Sequence, residues 1–181
     1  MRTLRFKLAI AVAVVSALTV GAIAMATGDR SIDEDLTGYE EVPALSTPGV
    51  GEFHAFINKS AQEIRYRLTF SRLESAATQS HIHFENATNN GPIVVFLCTN
   101  LGNGPAGTQG CPANGGTITG TIRPADVGAG AAAQGLAAGE FDEFVRALQS
   151  GATYVNVHSA DRPSGEIRAQ IDVDRDRGRH H

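Results

Sequence analysis

The sequence has no tryptophan, and after its first seven residues it has no basic stripe. Its 181 residues carry 15 basic and 19 acidic side chains, so the chain is acidic overall. Proteins that bind nucleic acid need a basic stripe to neutralise phosphates, and proteins that bind anionic membranes need a basic patch. We therefore expect neither nucleic acid nor an anionic membrane surface as a partner.

Motifs for common enzymatic chemistry are also missing. The chain has no Gly-x-Ser-x-Gly elbow and no phosphate-binding glycine loop, since the glycines at 102, 104 and 107 lie between the two cysteines. In an exported protein, an isolated pair such as Cys98 and Cys111 predicts one disulfide, which would remove the thiol nucleophile. A dithiol metal site is the alternative. The bridge would contribute roughly 3 kcal/mol by restricting the unfolded chain.

The N-terminus has the order of a secretory signal peptide. Three basic residues precede an uncharged, largely apolar run over 8–20, and mostly small residues follow to Ala26. We predict a signal peptide over 1–26, and hence a periplasmic, cell-surface or secreted protein; a retained membrane anchor is the alternative. Removal of the leader leaves 12 basic and 19 acidic residues, a net formal charge of −7. After cleavage we expect no membrane association.

The rest of the chain predicts one all-β domain. Short stretches with apolar residues at alternate positions are separated by Gly, Pro and Asn turns, over 32–41, 49–57, 63–71, 80–85, 93–97, 116–122, 152–158 and 166–172. One helix is predicted, because Phe141, Phe144, Val145 and Leu148 have helical spacing. We expect an antiparallel Greek-key β-sandwich or barrel of seven to eight strands with one short helix. The domain would cover 32–172, after a spacer over 27–31 and before a charged tail over 173–181.

Three histidines are the main candidates for chemistry. On a strand, His81 and His83 lie on one face, opposite Ile82 and Phe84, and their backbones are about 6–7 Å apart. His158 lies opposite Val155 and Val157 on a later strand. We therefore predict that the three rings lie on the outer surface or line a groove in it, where they converge on a metal ion if the two strands are neighbours. Imidazole ligands favour copper or zinc.

Two more residues are weaker candidates for this site. Glu85 shares the face of His81 and His83 and could orient a ligand or act as a fourth one; a solvated acid is the alternative. His54 also faces outward on its strand but has no histidine partner in the pattern. Binding should weaken as the pH falls through about 6–6.5, where protons compete for imidazole nitrogen. The opposing interpretation is that all of these histidines are incidental in a structural or adhesive module.

Several segments resemble the CHRD domain, the module first described in chordin and found in many exported bacterial proteins. They are 36–43 (LTGYEEVP), 81–83 (HIH), 154–159 (YVNVHS) and 163–171 (PSGEIRAQI). The resemblance covers 32–172 and implies an immunoglobulin-like or superoxide-dismutase-like β-sandwich without an established enzymatic activity. Ala169 replaces the glycine that usually precedes Gln-Ile.

The His-x-His strand is also similar to the copper-binding strand of copper/zinc superoxide dismutases. By position, this similarity implies that His81 and His83 are copper ligands and that His158 is a third. The chain lacks a bridging histidine with the zinc ligands that follow it in those enzymes. We therefore predict a non-enzymatic protein that binds a metal ion, copper rather than zinc. The sequence identifies no protein partner.

Overall fold

The computed structural model describes residues 30–173, which form eight strands and one α-helix. The elements are β1 (Arg30–Thr37), β2 (Val50–Asn58), β3 (Glu63–Ser71), β4 (Ala77–Phe84), β5 (Ile93–Thr99), β6 (Gly116–Ile122), α1 (Phe141–Gln149), β7 (Thr153–Ser159) and β8 (Ile167–Ile171). The predicted all-β class with one short helix is confirmed. Within residues 30–173 no helix has the length and apolar character needed to cross a membrane.

The predicted boundaries need a correction at each end. Arg30 and Ser31, predicted as part of the spacer, are the first residues of β1 and pair with Ile57 and Phe56 of β2. At the other end Val173, predicted as part of the tail, is buried. The predicted signal peptide over 1–26 and the tail over 174–181 lie outside the described residues.

The strands form one antiparallel sheet in the order β5-β4-β7-β8-β1-β2-β3-β6. Its two end strands, β5 and β6, come into contact, so the sheet curls nearly into a barrel. Alternation directs one face inward: Phe53 and Leu68, paired across β2 and β3, are fully buried. The helix α1 adds its buried apolar residues, including Phe144 and Leu148, to the same core. Each of these large side chains stabilises the fold by about 1.5–3 kcal/mol through burial.

The predicted disulfide between Cys98 and Cys111 is confirmed, with their Cα atoms 5.1 Å apart. The loop that it closes covers the outer edge of β5. The side-chain amide of Gln109 donates to the backbone carbonyl of Leu97, and the backbone carbonyl of Gln109 accepts from the backbone amide of Thr99. Covering the edge in this way satisfies backbone groups that an open sheet would leave exposed.

The outer face of β4, β7 and β8 departs from the prediction. Side chains on this face point away from the barrel core, as the alternation indicated, yet every residue of β7 and β8 is buried. The segments that follow β1 and β4 and the β7–β8 loop cover it. The molecule therefore has a second interior, which is polar, outside its sheet.

Candidate metal centre

The structure brings three imidazoles together beneath this cover. β4 and β7 are neighbours, and their register places His81 opposite Asn156 and His83 opposite Tyr154. His158 lies two residues beyond Asn156 on the same face. The ring centres of His81 and His83 are 5.4 Å apart, those of His81 and His158 5.0 Å, and those of His83 and His158 6.3 Å. One nitrogen from each ring lies within 4.8 Å of the others.

The prediction that these histidines lie on the surface was wrong. Their exposed fractions are 0 % for His81, 7 % for His83 and 5 % for His158. The alternation identified their face of the sheet correctly, but it carries no information about the loops that cover that face. The site is therefore an enclosed polar pocket rather than a surface patch.

Backbone carbonyls fix the orientation of two rings. Nδ1 of His83 lies 2.8 Å from the carbonyl oxygen of Gly91, and Nδ1 of His158 lies 3.0 Å from that of Pro163. A carbonyl only accepts, so each Nδ1 carries the proton and each Nε2 presents a lone pair. Metal-binding histidines in proteins are usually held in this way, by a hydrogen bond from the nitrogen that does not bind the ion.

The third ring is placed by its neighbours. Nδ1 of His81 lies 3.2 Å from Nε2 of His158, and the His81 ring packs edge-on against Phe96. Within residues 30–173, Nε2 of His81 and Nε2 of His83 are buried and have no hydrogen-bond partner. Buried polar atoms are seldom left unpartnered, because each costs about 1–3 kcal/mol. These two nitrogen atoms are therefore available to a group that accepts lone pairs, such as a metal ion.

The geometry lies close to that of a metal site. Imidazole nitrogens bind zinc at about 2.0–2.1 Å, so two nitrogens on one ion are about 3.3–3.6 Å apart in tetrahedral or trigonal geometry. The separation of 3.2 Å between Nδ1 of His81 and Nε2 of His158 is just below that range. The largest separation in the group, 4.8 Å, would have to close by roughly 1 Å, which small ring rotations provide.

The three histidines are held in their neutral form. Burial lowers the pKa of His81 to about 2, and the neighbouring His158 and His83 lower it in addition. Burial also lowers the pKa of His83 to about 4, against the opposing effect of its bond to Gly91. The pKa of His158 is lowered for the same main reason. Proton competition with a metal therefore moves from the predicted range near pH 6–6.5 to a more acidic range.

Two aromatic and cationic groups extend the site on one side. Tyr154 stacks on His83 with its ring parallel, at 4.6 Å between centres. The guanidinium carbon of Arg168 lies 3.4 Å from the centre of the Tyr154 ring. Arg168 is only 1 % exposed, and burial lowers its pKa. A buried cation thus lies two layers from the His83 ring.

Arg168 also holds the loop between β4 and β5 in place. Its guanidinium donates to the backbone carbonyls of Asn86 and Asn89 and to the side chain of Asn90. The same loop supplies the Gly91 carbonyl that orients His83. One buried side chain therefore positions the cover over the histidines.

The structure places the two weaker candidates outside the three-histidine group. Glu85 accepts from the backbone amide of Asn86 and from Gln134, at the end of β4. His54 lies on β2, where it pairs with Asp33 and lies near Glu52. Neither residue belongs to the group of ligand atoms around His81.

The sequence pattern gave no role to Arg168 or to Glu41. Glu41 is buried; burial raises its pKa to about 7, although nearby Arg168 opposes the shift. Its carboxylate packs against Gly165, in the loop that also orients His158. On β8, Arg168 and Gln170 alternate with core residues, and only the fold shows that their face is enclosed.

Comparison with known proteins agrees with the sequence motifs. No curated protein and no solved structure gives a significant match to the chain. A family model, that of the CHRD domain, matches residues 33–171, a range that includes the helix and every strand apart from the first three residues of β1. The chain therefore belongs to the CHRD domain family.

Proposed function

We propose that the protein is an exported, non-enzymatic CHRD-domain protein that binds a copper ion at His81, His83 and His158, for sequestration or delivery. Zinc is the weaker alternative. The export part of the proposal is supported by the leader sequence and by the disulfide, which is typical of oxidising compartments. The metal part rests on the geometry of the three rings.

One observation carries the proposal. The two rings whose Nδ1 atoms are tied to backbone carbonyls, His83 and His158, have their lone pair on Nε2, and one nitrogen of each ring lies within 4.8 Å of a nitrogen of His81. Their neutral form is the one that binds metal, and burial enforces it. Preparing lone pairs in a pocket that water does not reach costs folding free energy. Metal binding would recover that cost.

The test is a metal titration of the purified protein. We expect about one copper ion per chain, with the metal-free protein stabilised as copper is added. The double variant His81→Ala/His83→Ala should lose the bound copper. The matched control is His54→Ala, which removes a histidine that is paired with Asp33 and lies outside the group.

Equal copper binding by the protein and by His81→Ala/His83→Ala would refute the proposal. So would the absence of any ion after titration with copper and zinc. If His54→Ala lost the metal instead, the site would lie on β2.

The same contacts also favour a second function, in which the histidines bind no metal and only support the fold. The bonds of His83 to Gly91 and of His158 to Pro163 tie two cover loops to the sheet, and such bonds can serve the fold alone. In that case the domain is a structural or adhesive module. His83→Gln would then lower stability equally with and without copper, and copper would not change the melting temperature of the protein.

A superoxide-dismutase-like oxidoreductase remains the enzymatic alternative. Its test is superoxide turnover by copper-loaded protein that depends on His81 and His83. Within residues 30–173 the histidine group is the one cluster with metal-ligand spacing, so no neighbouring zinc site accompanies it.

A further inference from the structure

The charge of the pocket bears on which ion it takes. The three ligands are uncharged, and in residues 30–173 no aspartate, glutamate or cysteine joins their group. The side-chain oxygen of Asn156, 3.1 Å from Nε2 of His158, is a further donor beside the group, and it is also uncharged. An ion bound here would therefore keep its full positive charge.

Burial makes that charge costly. The free energy of moving an ion out of water scales with the square of its charge, so a divalent ion costs about four times as much as a monovalent one in the same pocket. His81 and His83 are shielded by Phe96 and Tyr154, whose rings pack against them. Few water molecules can then complete the coordination of a divalent ion. Zn²⁺ normally needs four ligands, and Cu²⁺ needs a tetragonal set.

Arg168 adds a positive potential. Its guanidinium carbon lies 3.4 Å from the centre of the Tyr154 ring, which stacks on His83. Carboxylates of Glu41, Glu40 and Glu85 act on Arg168, but in residues 30–173 no carboxylate oxygen joins the ligand atoms. The charged group stacked over a ligand ring is thus a cation.

We propose that the site takes a monovalent ion, Cu(I), in preference to Cu(II) or Zn(II), because three neutral buried ligands lie beside the buried cation Arg168. The inference rests on the proposed function and specifies the form of its copper. Imidazole binds copper in both oxidation states, so the ligand type alone does not choose between them. The choice between the two oxidation states is made by the lower charge of Cu(I) and by the small number of ligands in the pocket.

The contribution of Arg168 follows from the stack of rings. Steps of 3.4 Å and 4.6 Å place its guanidinium within about 8 Å of the His83 ring centre and about 10 Å from an ion at Nε2. At an effective dielectric constant of about 20, each unit of charge on the ion then changes its affinity by roughly tenfold. Arg168 therefore lowers the affinity for a monovalent ion by this factor and the affinity for a divalent ion by the square of this factor.

The test compares ions in the same protein. Cu(I) is titrated without oxygen, with ascorbate as a reductant that spares the disulfide, against a coloured Cu(I) chelator. Zn(II) and Cu(II) are titrated in the same buffer, and Ag(I) serves as a monovalent probe without redox chemistry. We expect Cu(I) and Ag(I) to bind at least about tenfold more tightly than Zn(II) and Cu(II).

Arg168→Gln removes the charge and should reduce the ratio of Cu(I) affinity to Zn(II) affinity by roughly tenfold. Arg168→Lys keeps the charge and should leave that ratio unchanged. If Arg168→Gln does not fold, the ranking of ions in the unaltered protein decides. Tighter binding of Zn(II) or Cu(II) than of Cu(I) would overturn this inference and leave the proposed metal site standing. Failure of every ion to bind would overturn both.

Discussion

Two buried residues, His83 and Glu41, should make stability depend on pH in opposite directions. The pKa of His83 is about 4 in the fold against an ordinary value of 6.5. Its stabilising contribution is therefore fully present above pH 6.5 and is lost as the pH falls toward 4. The pKa of Glu41 is about 7 in the fold against 4.5. Its contribution is fully present below pH 4.5 and is lost as the pH rises through 7.

The magnitudes follow from the two shifts. Between about pH 7.5 and about pH 5, linkage gives a loss of about 2 kcal/mol from His83 and a gain of about 2 kcal/mol from Glu41. The unaltered protein partly hides both effects, because they oppose each other across the same range. Single substitutions separate them.

Urea unfolding of the metal-free protein at the two pH values provides the assay. From about pH 7.5 to about pH 5, the difference in the free energy of unfolding between the unaltered protein and His83→Gln should decrease by about 2 kcal/mol in favour of the variant. The corresponding difference between the unaltered protein and Glu41→Gln should change by about 2 kcal/mol in favour of the unaltered protein. The control is His54→Ala, whose histidine lies on the partly exposed outer face of β2. Changes of the same sign in both glutamine variants, or no change in either, would refute the burial argument.

Further substitutions test other parts of the fold. Replacing Cys98 and Cys111 with alanine should lower the free energy of unfolding by roughly 3 kcal/mol, measured by urea unfolding against the oxidised protein. Phe144→Ala should cost about 3–5 kcal/mol, because a fully buried ring leaves a cavity in the core; a loss below 1 kcal/mol would contradict its placement. Gly165→Ala should cost about 1–3 kcal/mol, since its φ is +128° and a methyl group would meet the Glu41 carboxylate; an unchanged melting temperature would contradict this.

The sequence predicted the strands well because their patterns are local. β3 and β6 have the predicted bounds, and α1 begins at Phe141, where the helical spacing begins. Errors occur at ends where tertiary pairing decides, as in β1, which begins two residues early and ends at Thr37 rather than at residue 41. There the segment turns into a short 3₁₀ helix that packs on β8.

For the candidate site, sequence reasoning identified the three rings but not their surroundings. His-x-His on a strand fixes a face, and a third histidine on another strand can be assigned a face in the same way. The groups that orient these rings are the backbone carbonyls of Gly91 and Pro163, and any residue type supplies a carbonyl. The cover therefore has no signature in residue type, which is why a buried pocket was predicted as a surface.

The contact between His81 and His158 links the two functions proposed for the histidines. Nε2 of His158 has one lone pair, since its Nδ1 proton is held by Pro163. That lone pair accepts a hydrogen bond from Nδ1 of His81. An ion bound at Nε2 of His158 must displace the hydrogen bond from His81. The His81 ring therefore has to rotate, or its proton has to move from Nδ1 to Nε2. The hydrogen bonds of His83 and His158 to backbone carbonyls can persist. Structural support and metal binding thus compete for one nitrogen, and His81 is the ring that has to change.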